Sequence, residues 1–305
     1  MVVYFTTVVR TAPPDRGGEL VKLDWEAKRV IARVPMAAQD PPLQDPNPRG
    51  STRGGRGVLL NGNEIYAASY HTIHVFDRRL ATKGKLIHPL FANLHELSWD
   101  GDAIWASSTD LDGAIKVDRA GRTIAEWWPR EDPVTSVRFK LRPLDFDKSQ
   151  DNRARFVGNG KPAAGHVHLN AVATQDGRPL MLLNRFGCVV RLEPTEILVD
   201  DPTLKGCHNL LVLADGRLAV NDTVNRAVRL YDRDGRPLGA VDLHRFAPVQ
   251  RIIRRHIPRD IGIWLAKHGR PSRVFNAAFA HLAVARPIFV RGLAQTPRGT
   301  VLVGI

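Results

Sequence analysis

The chain has 305 residues, 43% of them hydrophobic and 25% charged, with a formal net charge of +13. These are globular proportions, which argues against disorder, and no apolar run reaches the ~18–20 residues of a membrane span. Two cysteines, Cys188 and Cys207, without Cys-x-x-Cys spacing, exclude a disulfide scaffold. Met1 to Arg10 has no basic residue ahead of its apolar run and no small-residue cleavage site after it, so a secretory signal is not expected and the expected setting is the cytoplasm.

The first element in chain order runs from Val2 to Pro35 and reads as the second, third and fourth strands of a four-stranded unit. The next unit, Arg56 to Leu90, is one of four fuller copies, followed by Leu94 to Trp128, Val167 to Asp200 and Cys207 to Leu243. In each, an apolar strand meets a Gly-containing turn, then a second apolar strand, a short polar link and a third strand ending near aspartate. The last copy is the clearest. Asp215-Gly216 and Asp234-Gly235 are hairpin signals, and strands are expected at about 208–213, 217–222, 226–232 and 236–242. Phe289 to Ile305 reads as a first and second strand. Four antiparallel strands repeated in this way predict an all-β, five- or six-bladed β-propeller, as one domain over 1–305. The two end pieces are expected to share closure of the ring, which would remove exposed edges.

Two insertions interrupt the repeats. Residues 129–165 are polar and irregular. Residues 245–287 carry helical spacing, with Val249, Ile252, Ile253 and Ile257 on one face, then Ile261, Trp264 and Leu265, then Val274, Phe275, Ala278 and Leu282. From Arg245 to Arg286 there are nine Lys/Arg against the one acid Asp260, so +8 of the +13 lies in this short helical insertion. Nucleic acid is not expected as a partner, because no aromatic–basic stacking array accompanies the charge. A basic amphipathic segment at 245–287 is also compatible with contact to a membrane surface.

In a propeller the first strand of each blade lines the central channel. Loops entering first strands and loops joining second to third strands emerge on one face. Three first strands begin with histidine: His95 in LHEL, His168 in VHLN and His208 in CHNL. They lie six, nine and eight residues before the hairpin glycines Gly101, Gly177 and Gly216. Repeat register brings the three imidazoles toward the axis, where they suit a divalent transition metal, zinc, iron or copper. Such a metal would acidify a bound water or polarise a carbonyl. His166 lies on the same strand side as His168 and is an alternative ligand. Arg291 stands eight residues before Gly299, matching His208. The second-to-third loops bring Tyr70 and His71, Thr109 and Asp110, Asn184 and Arg185, and Asn221 and Asp222 to the same face, with Thr6, Thr7 and Arg10 from the start of the chain. Arg185 and Arg291 are candidate carboxylate or oxyanion anchors. Asn184 joins them at the substrate. Tyr70, His71 and Asp222 are candidates for acid–base work. Asn and Asp at 221–222 equally suit a local turn cap.

The stretch LADGRLAVNDTVNRAVRLYDRDGRPLG, with its Asp-Gly turn, Asn-Asp strand end, Asn-Arg link and aromatic-Asp finish, resembles an NHL repeat. It is similar also to the unit of gluconolactonase-like propellers. The triple histidine set resembles that of the NHL-type lyases that cleave peptidyl-α-hydroxyglycine, which implies zinc at His95, His168 and His208 and an active-site arginine at Arg291 or Arg56. Gluconolactonase-like propellers hold a divalent metal through Glu, Asn and Asp; Asn209 and Asp222 resemble two of these positions, and no glutamate equivalent is evident. The expected function is therefore a metal-dependent lyase or hydrolase acting on a small polar or anionic substrate at the channel mouth. The alternative is a non-catalytic scaffold that binds a protein or peptide through this face and the basic helices.

Overall fold

The computed structural model describes residues 1–9, 17–36, 54–155, 166–254 and 290–304. Alternating apolar runs closed by tight turns become antiparallel sheets in chain order. The first has three strands, β1 (Val2–Thr6), β2 (Glu19–Asp24) and β3 (Arg29–Pro35). Four complete blades follow. They are β4 (Val58–Asn61) to β7 (Thr82–Ile87), with β5 (Glu64–Ala68) and β6 (Thr72–Asp77) between; β8 (Leu94–Asp100) to β11 (Thr123–Trp127), with β9 (Ala103–Ser108) and β10 (Gly113–Val117); β12 (Leu169–Gln175) to β15 (Glu196–Asp200), with β13 (Arg178–Leu183) and β14 (Cys188–Arg191); and β16 (His208–Val212) to β19 (Pro237–Asp242), with β17 (Leu218–Asp222) and β18 (Ala227–Tyr231). A hairpin, β20 (Leu293–Gln295) and β21 (Val301–Val303), ends the chain. The whole is a five-bladed propeller arrangement.

The turns explain the regularity. Leu213 donates its N–H to the Arg217 carbonyl and Gly216 to the Leu213 carbonyl, both at 2.8 Å. Gly216 and Gly235 have φ of +84° and +81°, a region open to glycine at little cost. The middle strands β9 and β17 are buried along their whole length, whereas β19 is mostly exposed. The cores therefore lie between blades: Ile73 and Leu86 pack with Ile104 and Ile115, and Leu182 and Val189 pack with Leu218 and Val220. Burying one such side chain stabilises the fold by ~1.5–3 kcal/mol.

First strands of successive blades stand side by side, β4 by β8, β8 by β12, β12 by β16 and β16 by β20. β8, β12 and β16 each carry a register shift at the channel end, between Leu94 and Leu97, Leu169 and Ala171, and His208 and Leu210. A bulge leaves residues out of the ladder and re-aims them. The residues so placed are His95 with Glu96, Asn170, and Asn209.

Two expectations change. Among the described residues no ladder joins the end pieces: β1 lies by β4 and β20 by β16, in separate sheets. The first insertion, read as irregular, contains helix α1 (Pro133–Phe139), started by the Asp132 side chain accepting from the Val134 and Thr135 N–H groups, with proline in its first turn. In the second insertion a helical stretch covers 247–254, and Val249, Ile252 and Ile253 pack with Leu243 and Val290. The remaining expected helical faces of 245–287, and Arg10, lie outside the described residues. Among the described residues no helix is long and apolar enough to cross a membrane.

Candidate functional site at the channel mouth

The channel end of β8 and β16 carries the same three-part device twice. The Thr109 hydroxyl lies 2.7 Å from the Leu169 carbonyl and 2.7 Å from His95 Nδ1. Its single proton goes to the carbonyl, so it accepts from Nδ1–H. The Asn93 carbonyl, 2.9 Å from the same nitrogen, requires that proton too. Nε2 of His95 therefore carries the lone pair, and it meets Nη1 of Arg56. At β16, Thr223 donates to the Val290 carbonyl at 2.9 Å and accepts from His208 Nδ1 at 2.9 Å, while Arg291 Nη2 donates to His208 Nε2 at 2.9 Å. Burial, followed by the charges of Arg56, His168 and Arg291, holds His95 well below the usual histidine range. Burial and then the same arginines and His168 do so for His208. Two neutral imidazoles thus each orient one guanidinium.

Close packing of backbones sets up the first of these contacts. Gly57 donates its N–H to the His95 carbonyl at 2.8 Å, and a Cβ at this position would stand 2.9 Å from Glu96 Cα and from Leu97 N. Those are main-chain atoms of the β8 bulge and do not yield cheaply. Gly57→Ala is expected to push β4 from β8, cost about 1–3 kcal/mol in urea denaturation, and shift the His95 ring resonances as Arg56 leaves it. Unchanged His95 resonances would show that the close approach does not position Arg56.

Glu96 follows His95 in the bulge. Its carboxylate accepts from Asn209 Nδ2, and Asn209 Oδ1 in turn accepts from Asn221 Nδ2 at 3.1 Å and Gly292 N at 2.7 Å. Burial pushes Glu96 up to about 7, against the lowering effects of Asn209, Arg291 and Arg56. Asp110 is raised by burial to about 6 while held by Asn93 and Tyr70. The Tyr70 hydroxyl donates to the Arg155 carbonyl at 2.6 Å and lies 3.1 Å from Asp110 Oδ2, so the first insertion seats against Tyr70.

His168 sits one residue outside the register shared by His95 and His208, since Leu169 forms the last ladder pair before the β12 bulge. Its ring still comes to 5.7 Å from that of His95, between centroids. Burial, then His166, holds its pKa down at about 3, although Asp112 opposes this. Arg185 lies near enough to add to that lowering, and its own pKa is lowered by burial.

The expected triple-histidine metal centre is not what these residues assemble. The Nε2 lone pairs of His95 and His208 are turned to guanidinium groups, and a dication there would face two fixed positive charges. Among the described residues no three His, Cys, Asp or Glu side chains stand in position to hold a metal ion. Asp222 is the turn cap that its sequence allowed: buried, it accepts from Asn225 N at 3.1 Å, Asn225 Nδ2 at 2.9 Å and Arg229 Nε at 2.8 Å. Asn184 Nδ2 donates to the Cys207 carbonyl at 2.5 Å, which ties two blades together. His71 is fully buried with Nδ1 2.9 Å from the Thr72 hydroxyl. Thr6 reaches the site indirectly, donating to the Arg56 carbonyl at 2.6 Å. Glu96, Asp112 and the Thr109 and Thr223 pairings were not read from the sequence. The signal for Glu96 was present: two polar residues between Leu94 and Leu97 break the alternation of an inner strand.

No protein-family model matches the chain, and no curated protein matches its sequence. Solved β-propellers resemble it in structure. A streptogramin B lyase shares 10% identity over 78% of this chain and 73% of that one, with a TM-score of 0.47. A catalytically inactive virginiamycin B lyase from Staphylococcus aureus, with quinupristin, shares 8% identity at a TM-score of 0.44; the match covers 70% of this chain and 59% of the lyase, less than two thirds of its length. The WD40 domain of Neurospora crassa Pan2 shares 10% identity over 81% of this chain and 63% of that one, with a TM-score of 0.46. Enzymes and WD40 domains stand side by side among these neighbours, and the likeness extends to the fold alone.

Proposed function

We propose that the protein is an enzyme of lyase or hydrolase type that takes a small carboxylate- or phosphate-bearing substrate at the channel mouth. The observation that carries this reading is the pair of guanidinium groups, Arg56 and Arg291, each held by a neutral imidazole whose tautomer a threonine fixes. A guanidinium has five donors in one plane, so an imidazole contact at one of them sets the plane in which a carboxylate or phosphate is met. Glu96 supplies the acid–base partner. With a pKa near 7 it is divided between its two protonation states at neutral pH, the condition under which a carboxyl group both gives and takes protons efficiently. Asp110, raised to about 6, is a second such group on the same face.

Sulfate, oxalate and citrate are suitable probes in a melting experiment at low ionic strength, with chloride as the control. A ligand at a hundredfold excess over its Kd stabilises by about 2.7 kcal/mol, a rise of roughly 5 °C for a chain of this size. A rise with at least one polyvalent anion and none with chloride is expected. Equal melting temperatures in all four salts would sink the reading and favour the scaffold alternative. One equivalent of zinc, iron or copper in the purified protein, lost in His168→Ala, would replace the anion site with the metal centre.

A further inference from the structure

Behind His168 runs a hydrogen-bonded chain that the two arginine–histidine pairs do not use. Asp112 closes the turn from β9 to β10 with φ of +58°, and its side chain is 1% exposed. Its Oδ1 accepts from His168 N at 2.7 Å. Its Oδ2 accepts from Val167 N at 2.7 Å and Arg130 Nη2 at 3.2 Å, and lies 2.7 Å from His166 Nδ1. His166, also buried, then places Nε2 3.3 Å from His168 Nδ1, with the rings 83° apart. His168 itself is only half-buried, so the chain leads from the interior to the channel. The His168 backbone has φ of +56°, a conformation that a residue with a Cβ holds at some cost. Asp112, bonded to the successive N–H groups of Val167 and His168, holds it there. Strain retained by a buried carboxylate in order to aim one ring is the pattern of a functional position.

We infer that Asp112, His166 and His168 form a proton relay in which Asp112 and His166 position His168 as the base that faces the substrate. The inference rests on the channel mouth being a reaction site. The proton positions follow from the acceptors. Ionised Asp112 takes the Nδ1–H of His166, whose Nε2 lone pair accepts the Nδ1–H of His168, which leaves the His168 Nε2 lone pair toward the channel. In the forward step a substrate C–H or O–H bond breaks and its proton goes to His168 Nε2, while the electron pair stays on the substrate. His168 keeps a second proton poorly, with its pKa held down at about 3, so its Nδ1 proton passes to His166 Nε2 as the substrate proton arrives and the positive charge comes to rest on the imidazole against Asp112. The return step runs the same transfers backwards, and no other reactant is consumed. Asp112 and His166 are positioning residues here; of the three, His168 is the one that meets the substrate.

Carbethoxylation by diethyl pyrocarbonate reads the nucleophilicity of each imidazole without any substrate. In the wild-type protein His168 is expected to react faster than His95, His166 and His208, as followed by peptide mass spectrometry. His166→Phe keeps an aromatic ring but removes the acceptor, and should slow His168 by tenfold or more. His166→Gln offers an oxygen to His168 Nδ1 and should restore part of the rate, which a purely structural role would not produce. Equal His168 rates in wild type and His166→Phe would overturn the relay. Long-range proton–nitrogen spectra of the wild-type protein give a check that needs no variant: His168 carrying its proton on Nδ1 is expected, and a proton on Nε2 alone would refute the assignment. Neither readout depends on an anion, so a relay that passes while sulfate fails to bind separates this inference from the reading it rests on.

Discussion

Asp112→Ala is expected to lower the stability of the protein by about 3–5 kcal/mol, the cost of removing one partner of a buried ion pair. Asp112 and Arg130 have side-chain exposures of 1% and 8%, so little solvent is at hand to replace the lost contact. Alanine would leave the Arg130 charge buried and would strip the Val167 and His168 N–H groups of their acceptor, each a further penalty. The pH dependence has a definite sign. Burial alone would raise the Asp112 pKa, but His166, the Val167 N–H and Arg130 together hold it below the ordinary value. A carboxylate depressed in the folded state contributes stability that is fully present above its unfolded pKa of about 3.9 and is lost as pH falls through the folded value. Urea titrations should therefore show a large gap between wild type and variant at neutral pH that narrows in acid. A gap under about 1 kcal/mol at neutral pH would mean that the buried network is not what holds the β12 end in place.

The second large effect concerns the arginines. Arg291→Gln is expected to weaken sulfate or oxalate binding by about 10–100-fold, since a hydrogen bond to a charged group contributes about 1.5–3 kcal/mol and each 1.4 kcal/mol is tenfold in affinity. Arg56→Gln should do the same. His208→Ala leaves the Arg291 charge in place and removes one hydrogen bond that orients it, so a smaller loss is expected. The loss at Arg291 should shrink with salt less than that of an exposed cation, because the partly buried setting limits screening. Calorimetric titration distinguishes these outcomes, and sulfate affinity equal to wild type in both arginine variants would contradict the assignment.

Much of this architecture is written locally in the chain. The strands expected at 208–213, 217–222, 226–232 and 236–242 form at His208–Val212, Leu218–Asp222, Ala227–Tyr231 and Pro237–Asp242. Asp-Gly turns and short apolar runs act over a few residues, which is why they are legible. The three inner-strand histidines were legible for the same reason, and the rings of His95 and His168 lie 5.7 Å apart between centroids.

Their partners were not. Arg56 meets His95 across 39 positions, Arg291 meets His208 across 83, and Asp112 meets the Val167 N–H across 55. No period or motif encodes such pairs, and they decide whether three imidazoles face a metal or two guanidiniums. A glutamate beside a histidine at a strand start has the local pattern of a solvated residue. Only the bulge between Leu94 and Leu97 turns Glu96 to the channel, and there burial changes its chemistry. The end pieces share no ladder among the described residues for a related reason. They have the right strands, but each pairs with itself and packs on its nearest blade.

Sulfate titration calorimetry across neutral pH tests the channel mouth most directly. Among the described residues Asn209, Arg291 and Arg56 act on Glu96, and burial raises its pKa to about 7. Above that value the carboxylate competes with a bound anion for the same two guanidiniums; below it the competition ends. Sulfate affinity is expected to fall as pH rises through about 7, and Glu96→Gln should bind tightly with a flat profile. Wild-type affinity that does not change with pH, or sulfate that fails to bind on either side of neutrality, would contradict the arginine–histidine anion site.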